Sequence, residues 1–163
     1  MRLPAAVALA ALSLTLPAAA QSSRVACEMA PQAALEQSLG APGQIVERVD
    51  QDGISLCKWQ AGDGLIVKLH SITAASQGIS GGTPLEYFEQ HEADRIANVG
   101  AANITTLEGP WQSAQIIDVT TEPNPQQFYS ITFLNKDDTV TVETYGMPKQ
   151  SAVDLAEAVA GAM

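Results

Sequence analysis

Residues 44–73 constrain this chain more than any other stretch. They read QIVERV, DQDG, ISLCKW, QAGDG, LIVKLHSIT. Three runs rich in β-branched and alternating apolar residues are joined by two short turn signals, Asp52-Gly53 and Ala61-Gly62-Asp63-Gly64. Connections this short allow only antiparallel pairing, because a parallel crossover needs a dozen or more residues. Side chains alternate along a strand, so Cys57 and Trp59 share one face of ISLCKW while Ile54, Leu56 and Lys58 share the other. The same alternation puts His70 on the Lys68 side of the third run.

Helical segments bracket this hairpin unit. CEMAPQAALEQSLG (27–40) predicts a first helix, with Pro31 suited to N1, Gly40 to C′, and Leu35 and Leu39 one turn apart. TPLE (83–86) is a capping box, Thr83 at the N-cap and Glu86 at N3, opening a helix that runs to about Asn98. Leu85, Phe88, Ile96 and Val99 mark its apolar side, where Glu92 fits poorly. Glu92 and His91 both stand at pairable spacings from Arg95. Four further strands follow: ITTL (104–107), WQSAQIIDVTTE (111–122), QFYSITFL (127–134) and TVTVETYG (139–146), the last two joined by NKDD. SAVDLAEAV leads the last helix, within 147–163, with Val153, Ala156, Val159 and Ala160 on its apolar side. The expected fold is therefore α+β, order α-β-β-β-α-β-β-β-β-α. A mostly antiparallel sheet of six or seven strands is flanked by three helices.

The first twenty residues, MRLPAAVALAALSLTLPAAA, stand apart. Arg2, an apolar run over 5–16, the breaker Pro17 and the small residues Ala18-Ala19-Ala20 make a secretory signal peptide cut after Ala20. Twelve apolar residues are too few to span about 30 Å of hydrocarbon, which needs about 20. Residues 21–163 then form one domain in the periplasm or outside the cell. Cys27 raises the question of a lipid anchor, but Arg24 occupies the place where a lipobox carries a branched apolar residue. Export favours a Cys27–Cys57 disulfide, since these are the two cysteines of the chain and an oxidising compartment pairs them. Two free buried thiols are the alternative.

Charge narrows the partners. The chain carries 8 Lys+Arg against 18 Asp+Glu, a net charge of −10, and losing Arg2 makes it slightly more acidic. Nucleic acid and anionic lipid call for a basic face, so neither is an expected partner.

Several motifs match catalytic or metal patterns in form. Gly78-Ile79-Ser80-Gly81-Gly82 fits G-x-S-x-G, which would make Ser80 a nucleophile. That elbow belongs to a parallel sheet, and its histidine should follow an acid later in the chain, whereas His91 is the last histidine here. Asp50-x-Asp52-Gly53 is a fragment of a calcium loop without the glutamate at position twelve, where Ala61 stands. A zinc site would need His70, His91 and a carboxylate such as Glu92, and no close spacing links them. Glu86, Glu89, Glu92 and Asp94 along one helix read as an acidic solvated face. Asp118 alternates with Ala114 and Ile116, so on a core face it would be buried and in need of a partner. Trp59 and Trp111 are core or pocket aromatics. The candidate binding residues are Asp118, His70, Trp59, Trp111 and Ser80, with no catalytic set, metal or cofactor.

The cysteine opening a helix (CEMAPQAALEQSLG), the C-x-W strand (CKW), the middle helix ending in VGAAN, the hairpins and the final SAVDLAEAV resemble the small secreted two-cysteine proteins of actinobacteria. These include the LpqN-like lipoproteins and domains of unknown function near the PsbP-like α/β/α sandwich. The resemblance covers nearly all of residues 21–163 and implies a bridge between Cys27 and Cys57 and a binding or assembly role. The chain departs from it in lacking a lipobox cysteine. The reading that follows is a non-enzymatic exported binding or accessory domain, a monomer acting on a protein or small-ligand partner. A small hydrolase using Ser80 or a carboxylate near Asp118, and an inhibitor or immunity-type protein of a basic enzyme, are the alternatives.

Overall fold

The computed structural model describes residues 25–51, 53–62, 64–73, 83–99, 103–118 and 127–163. Residues 1–20, expected to be a signal peptide, and Ser80 with its G-x-S-x-G motif lie outside them, as does Asp52.

Among the described residues, seven strands form one antiparallel sheet. They are β1 (Gln44–Gln51), β2 (Ile54–Ala61), β3 (Leu65–Thr73), β4 (Ile104–Thr106), β5 (Ser113–Asp118), β6 (Phe128–Asn135) and β7 (Asp138–Tyr145), in spatial order β1-β2-β3-β7-β6-β5-β4. The expected hairpins form. Gln51 pairs with Ile54 across Asp52-Gly53, where Gly53 takes φ +80°, and Asn135 pairs with Asp138. The long segment between β3 and β4 lets β7 return beside β3, which makes β6 and β7 interior strands. Six consecutive residues of β6, Tyr129 to Leu134, are accordingly buried on both faces, whereas β2 alternates. Edge strand β1 leaves Ile45 and Val46 about half exposed. A β-bulge between Ile45 and Glu47, together with exposed Glu47 and Arg48, blunts that edge against pairing with another chain.

The helices are α1 (Ala26–Met29), α2 (Gln32–Leu39), α3 (Pro84–Val99) and α4 (Lys149–Ala162). One helix was expected over 27–40, and two are found. Pro31 has no N–H to continue the first turn and biases the residue before it toward extended backbone. Ala30 adopts that conformation, at φ −81° and ψ 117°. Gly40 ends α2 in the left-handed region at φ +68°. Gly43 is required for a different reason: a Cβ there would sit 2.6 Å from Leu39 Cδ1 and 3.2 Å from Trp59 Cβ.

One sheet face packs against α1, α2 and α4. Cys57, Trp59, Val67, Leu69, Val140, Val142, Ile131, Phe133 and Ile116 meet Leu35, Leu39, Leu155, Ala156, Val159 and Ala160 there in a single apolar core. Trp59 belongs to this core at 4% exposure. The Cys27–Cys57 disulfide forms, with Cα atoms 5.0 Å apart, and fixes α1 to the middle of β2. Buried Ser55 reinforces it by accepting from Ala26 N–H at 2.7 Å and donating to Asp50 Oδ1 at 2.6 Å.

The opposite face carries α3, packed on β6 and β7. Its capping box forms as the sequence predicts: Glu86 N–H donates to Thr83 Oγ1 at 3.2 Å, and Thr83 N–H donates to Glu86 Oε2 at 2.7 Å. Thr83→Ala should therefore cost about 1 kcal/mol of stability, measured by urea unfolding, with the midpoint lowered and the slope unchanged. The buried side of α3 departs from expectation. Phe88 is buried, but Leu85 is 44% exposed and Glu92 only 1%. The sheet beneath presents Ser130, Thr132 and Thr141 beside the apolar residues Ile117 and Leu134. Polar Glu92 and Arg95 take the facing positions that hydrophobic periodicity assigns to aliphatic side chains. Among the described residues, no helix is long and apolar enough to cross a membrane.

Candidate functional site

The polar layer under α3 opens into a groove of about 330 Å³ lined by His70, His91, Arg95, Asn98, Ile117, Phe128, Ser130, Thr141 and Glu143. Strand register explains how residues scattered over seventy positions meet. His70 lies opposite Thr141, and Lys68 opposite Glu143. Thr132 lies opposite Thr141, Ser130 opposite Glu143, and Ile117 opposite Ser130. Directly paired residues share a face with Cβ atoms about 5 Å apart, so these side chains form one continuous floor across β3, β7, β6 and β5. Residues 91, 95 and 98 recur at helical spacing and form the wall.

Charges in this layer are arranged in two pairs. Glu92 Oε1 accepts from Arg95 Nη1 at 2.8 Å and lies 3.2 Å from His91 Nδ1. Arg95 reaches across to the sheet, donating from Nη1 to Thr132 Oγ1 and from Nη2 to Ser130 Oγ at 3.0 Å. Thr132 Oγ1 is 3.1 Å from Thr141 Oγ1, so a hydrogen-bonded chain runs from the helix onto two strands. Glu92 Oε2 is buried and has no hydrogen-bond partner among the described residues. Nearer the rim, Lys68 Nζ pairs with Glu143 Oε2 at 3.0 Å.

Burial pushes the His70 pKa below its ordinary 6.5. Lys68 and His91 lower it further, and Glu143 partly opposes them. The neutral imidazole is thus favoured in the folded state. The resulting stability is present above pH 6.5 and is lost as pH falls through the lowered folded-state value. Urea unfolding at stepped pH should show that decline below pH 6.5, and His70→Gln should flatten it.

The groove gathers both histidines of the chain, which no close spacing connects in the sequence. Among the described residues, however, no three His, Cys, Asp or Glu are placed to hold a metal ion. No hydroxyl here is hydrogen-bonded to a histidine among the described residues, the arrangement an activated nucleophile needs. The layer offers donors, acceptors and charges at fixed positions beside an apolar patch of Ile117 and Phe128.

Comparison with protein-family models, with curated proteins and with solved structures finds no match. The site must be read from its own geometry.

Of the candidates named from sequence, His70 lines the groove. Trp59 lies in the core on the opposite face. Trp111 stacks on Phe133 with ring centroids 5.4 Å apart and donates from Nε1 to Leu107 O at 3.1 Å. Asp118 shares the core side with Ala114 and Ile116, but at the end of β5 it is half-buried rather than enclosed. Ser80 falls outside the described residues. Arg95, Asn98, Ser130, Thr141 and Glu143 were not singled out as binding residues. The usable signal was the misfit of Glu92 on an apolar helix side, three residues before an arginine.

Proposed function

We propose that this chain is an exported, non-enzymatic binding domain whose ligand is a small polar molecule held between α3 and strands β3, β7 and β6. The observation that carries this reading is the ionic and hydroxyl layer beneath α3. A helix seated on a sheet face that also carries buried Ile117 and Leu134 would be better stabilised by aliphatic residues at positions 92 and 95. A buried ion pair is weak support for stability, and polar groups converging on a concave surface with an apolar patch are the usual mark of a ligand site. The disulfide is compatible with an oxidising compartment. The resemblance to small secreted two-cysteine domains supports the same assignment by analogy.

Amide chemical-shift mapping on the mature protein tests it. The probe is a defined mixture of amino acids, monosaccharides, short organic acids and polyamines. Shifts confined to His91, Arg95, Asn98, Ser130 and Thr141 are expected. Shifts absent from these residues, or found only along β1, would refute the assignment.

A further inference from the structure

The hydrogen bonds of the groove narrow its ligand to one chemical class. This step rests on the groove being the ligand site and goes on to say what fills it. Arg95 has five N–H donors. Three are spent, on Glu92 and Thr132 from Nη1 and on Ser130 from Nη2. Among the described residues, the Nε–H and one Nη2–H have no partner, and a guanidinium that presents these two groups side by side grips a carboxylate in two parallel bonds. Glu143 lies opposite Ser130 on the same sheet face, so its carboxylate is a near neighbour of the hydroxyl that receives Arg95 Nη2. Lys68 occupies Oε2 of that carboxylate, and Oε1 is the oxygen left.

Each of these charges already has its own counter-ion, Glu92 for Arg95 and Lys68 for Glu143, and His70 is held toward its neutral form. The groove therefore has little net charge but presents separated charges of opposite sign to one cavity. A simple anion would gain Arg95 and meet Glu143; a simple cation would gain Glu143 and meet Arg95 and Lys68. A molecule that is neutral overall, with a carboxylate and an ammonium on one carbon, satisfies both ends. The volume of about 330 Å³ suits a ligand of that size with a side chain against Ile117 and Phe128.

We infer that the groove binds the zwitterionic head of an α-amino acid, its carboxylate on the Nε–H and Nη2–H of Arg95 and its ammonium at Glu143 Oε1. The chain's net charge of −10 is spread over the whole molecule and sets no preference within the locally balanced groove.

The test uses the mature protein and the twenty common L-amino acids, one at a time, followed by amide shifts. The strongest binder is then compared with its carboxamide, which lacks the carboxylate, and with its deaminated acid, which lacks the ammonium. Saturable shifts at His91, Arg95, Asn98 and Ser130, weakened about tenfold or more in both analogues, are expected, because each analogue loses a charge-assisted contact. Glu143→Gln, which leaves the buried Glu92–Arg95 pair intact, should weaken the amino acid about tenfold while leaving the deaminated acid unaffected. Arg95→Lys, checked by melting for an intact fold, should weaken both. Equal binding of either analogue overturns the inference. Groove shifts produced by sugars or polyamines, with none from amino acids, overturn it while leaving the groove as a ligand site. An undisturbed groove with every probe overturns both.

Discussion

Arg95→Met is expected to destabilise the protein by about 3–5 kcal/mol, the usual cost of removing one partner from a buried ion pair. The reason lies in what remains. Glu92 is 1% exposed, so without the guanidinium its carboxylate keeps only the neighbouring His91 at 3.2 Å. Ser130 and Thr132, both buried, lose the donor they share. Removing both charges together is a different experiment. The double variant Glu92→Met/Arg95→Met replaces the pair by flexible apolar side chains that can pack beside Phe88, and it should recover most of the loss. Urea unfolding of the two single variants and the double variant closes the cycle. A double variant as unstable as the sum of the singles would mean that the two residues act independently, contrary to the 2.8 Å contact between them. A stable double variant that no longer responds to ligand would separate the role of this layer in binding from its role in folding.

Opening the Cys27–Cys57 bond is the second large effect. The cysteines are 30 residues apart, and in the chain-entropy model closing a loop of that length stabilises the fold by about 3–4 kcal/mol. For a domain of this size the reduced protein should melt roughly 10–15 °C lower. The loss should be felt first in α1, a four-residue helix too short to persist without the bridge and the hydrogen bond from Ala26 N–H to Ser55. Calorimetry of the oxidised protein and of the Cys27→Ser/Cys57→Ser variant measures it. Hydrogen exchange over residues 26–29 reports whether α1 frays before the sheet unfolds. An unchanged melting temperature would show that the packing of α2 and α4 holds this end of the molecule without the covalent link.

Much of this architecture was legible because it is local. The turns at Asp52-Gly53 and 135–138 need only short-range backbone preferences, and the capping box at Thr83 and Glu86 needs only four residues. Alternation placed Cys57 with Trp59 and His70 with Lys68, and the strand register then set the two pairs on opposite faces. One departure is local in cause and the other tertiary. Pro31 divided the first helix because its ring and missing N–H outweighed the periodicity of the leucines around it. Leu85 belongs by periodicity to the buried side of α3 and stands exposed, while Glu92 and Arg95 face the hydroxyls of Ser130 and Thr132.

The sequence by itself determined the antiparallel hairpins, the positions of the helices, the acidic balance that argues against nucleic acid as a partner, and the two cysteines available to bridge. All of these follow from periodicity, turn chemistry and composition, which act over a few residues or over the whole chain. The tertiary structure alone decided that β7 lies beside β3. That pairing sets Lys68 and His70 against Glu143 and Thr141, and β6 adds Ser130 and Thr132 under α3. Contacts between residues separated by 35 to 75 positions depend on strand order and register, and no local preference encodes them. The contacts of the candidate site that join α3 and β3 to the rest are of this kind, and the local trace they left in the chain is a glutamate on the apolar side of a helix, three residues ahead of an arginine.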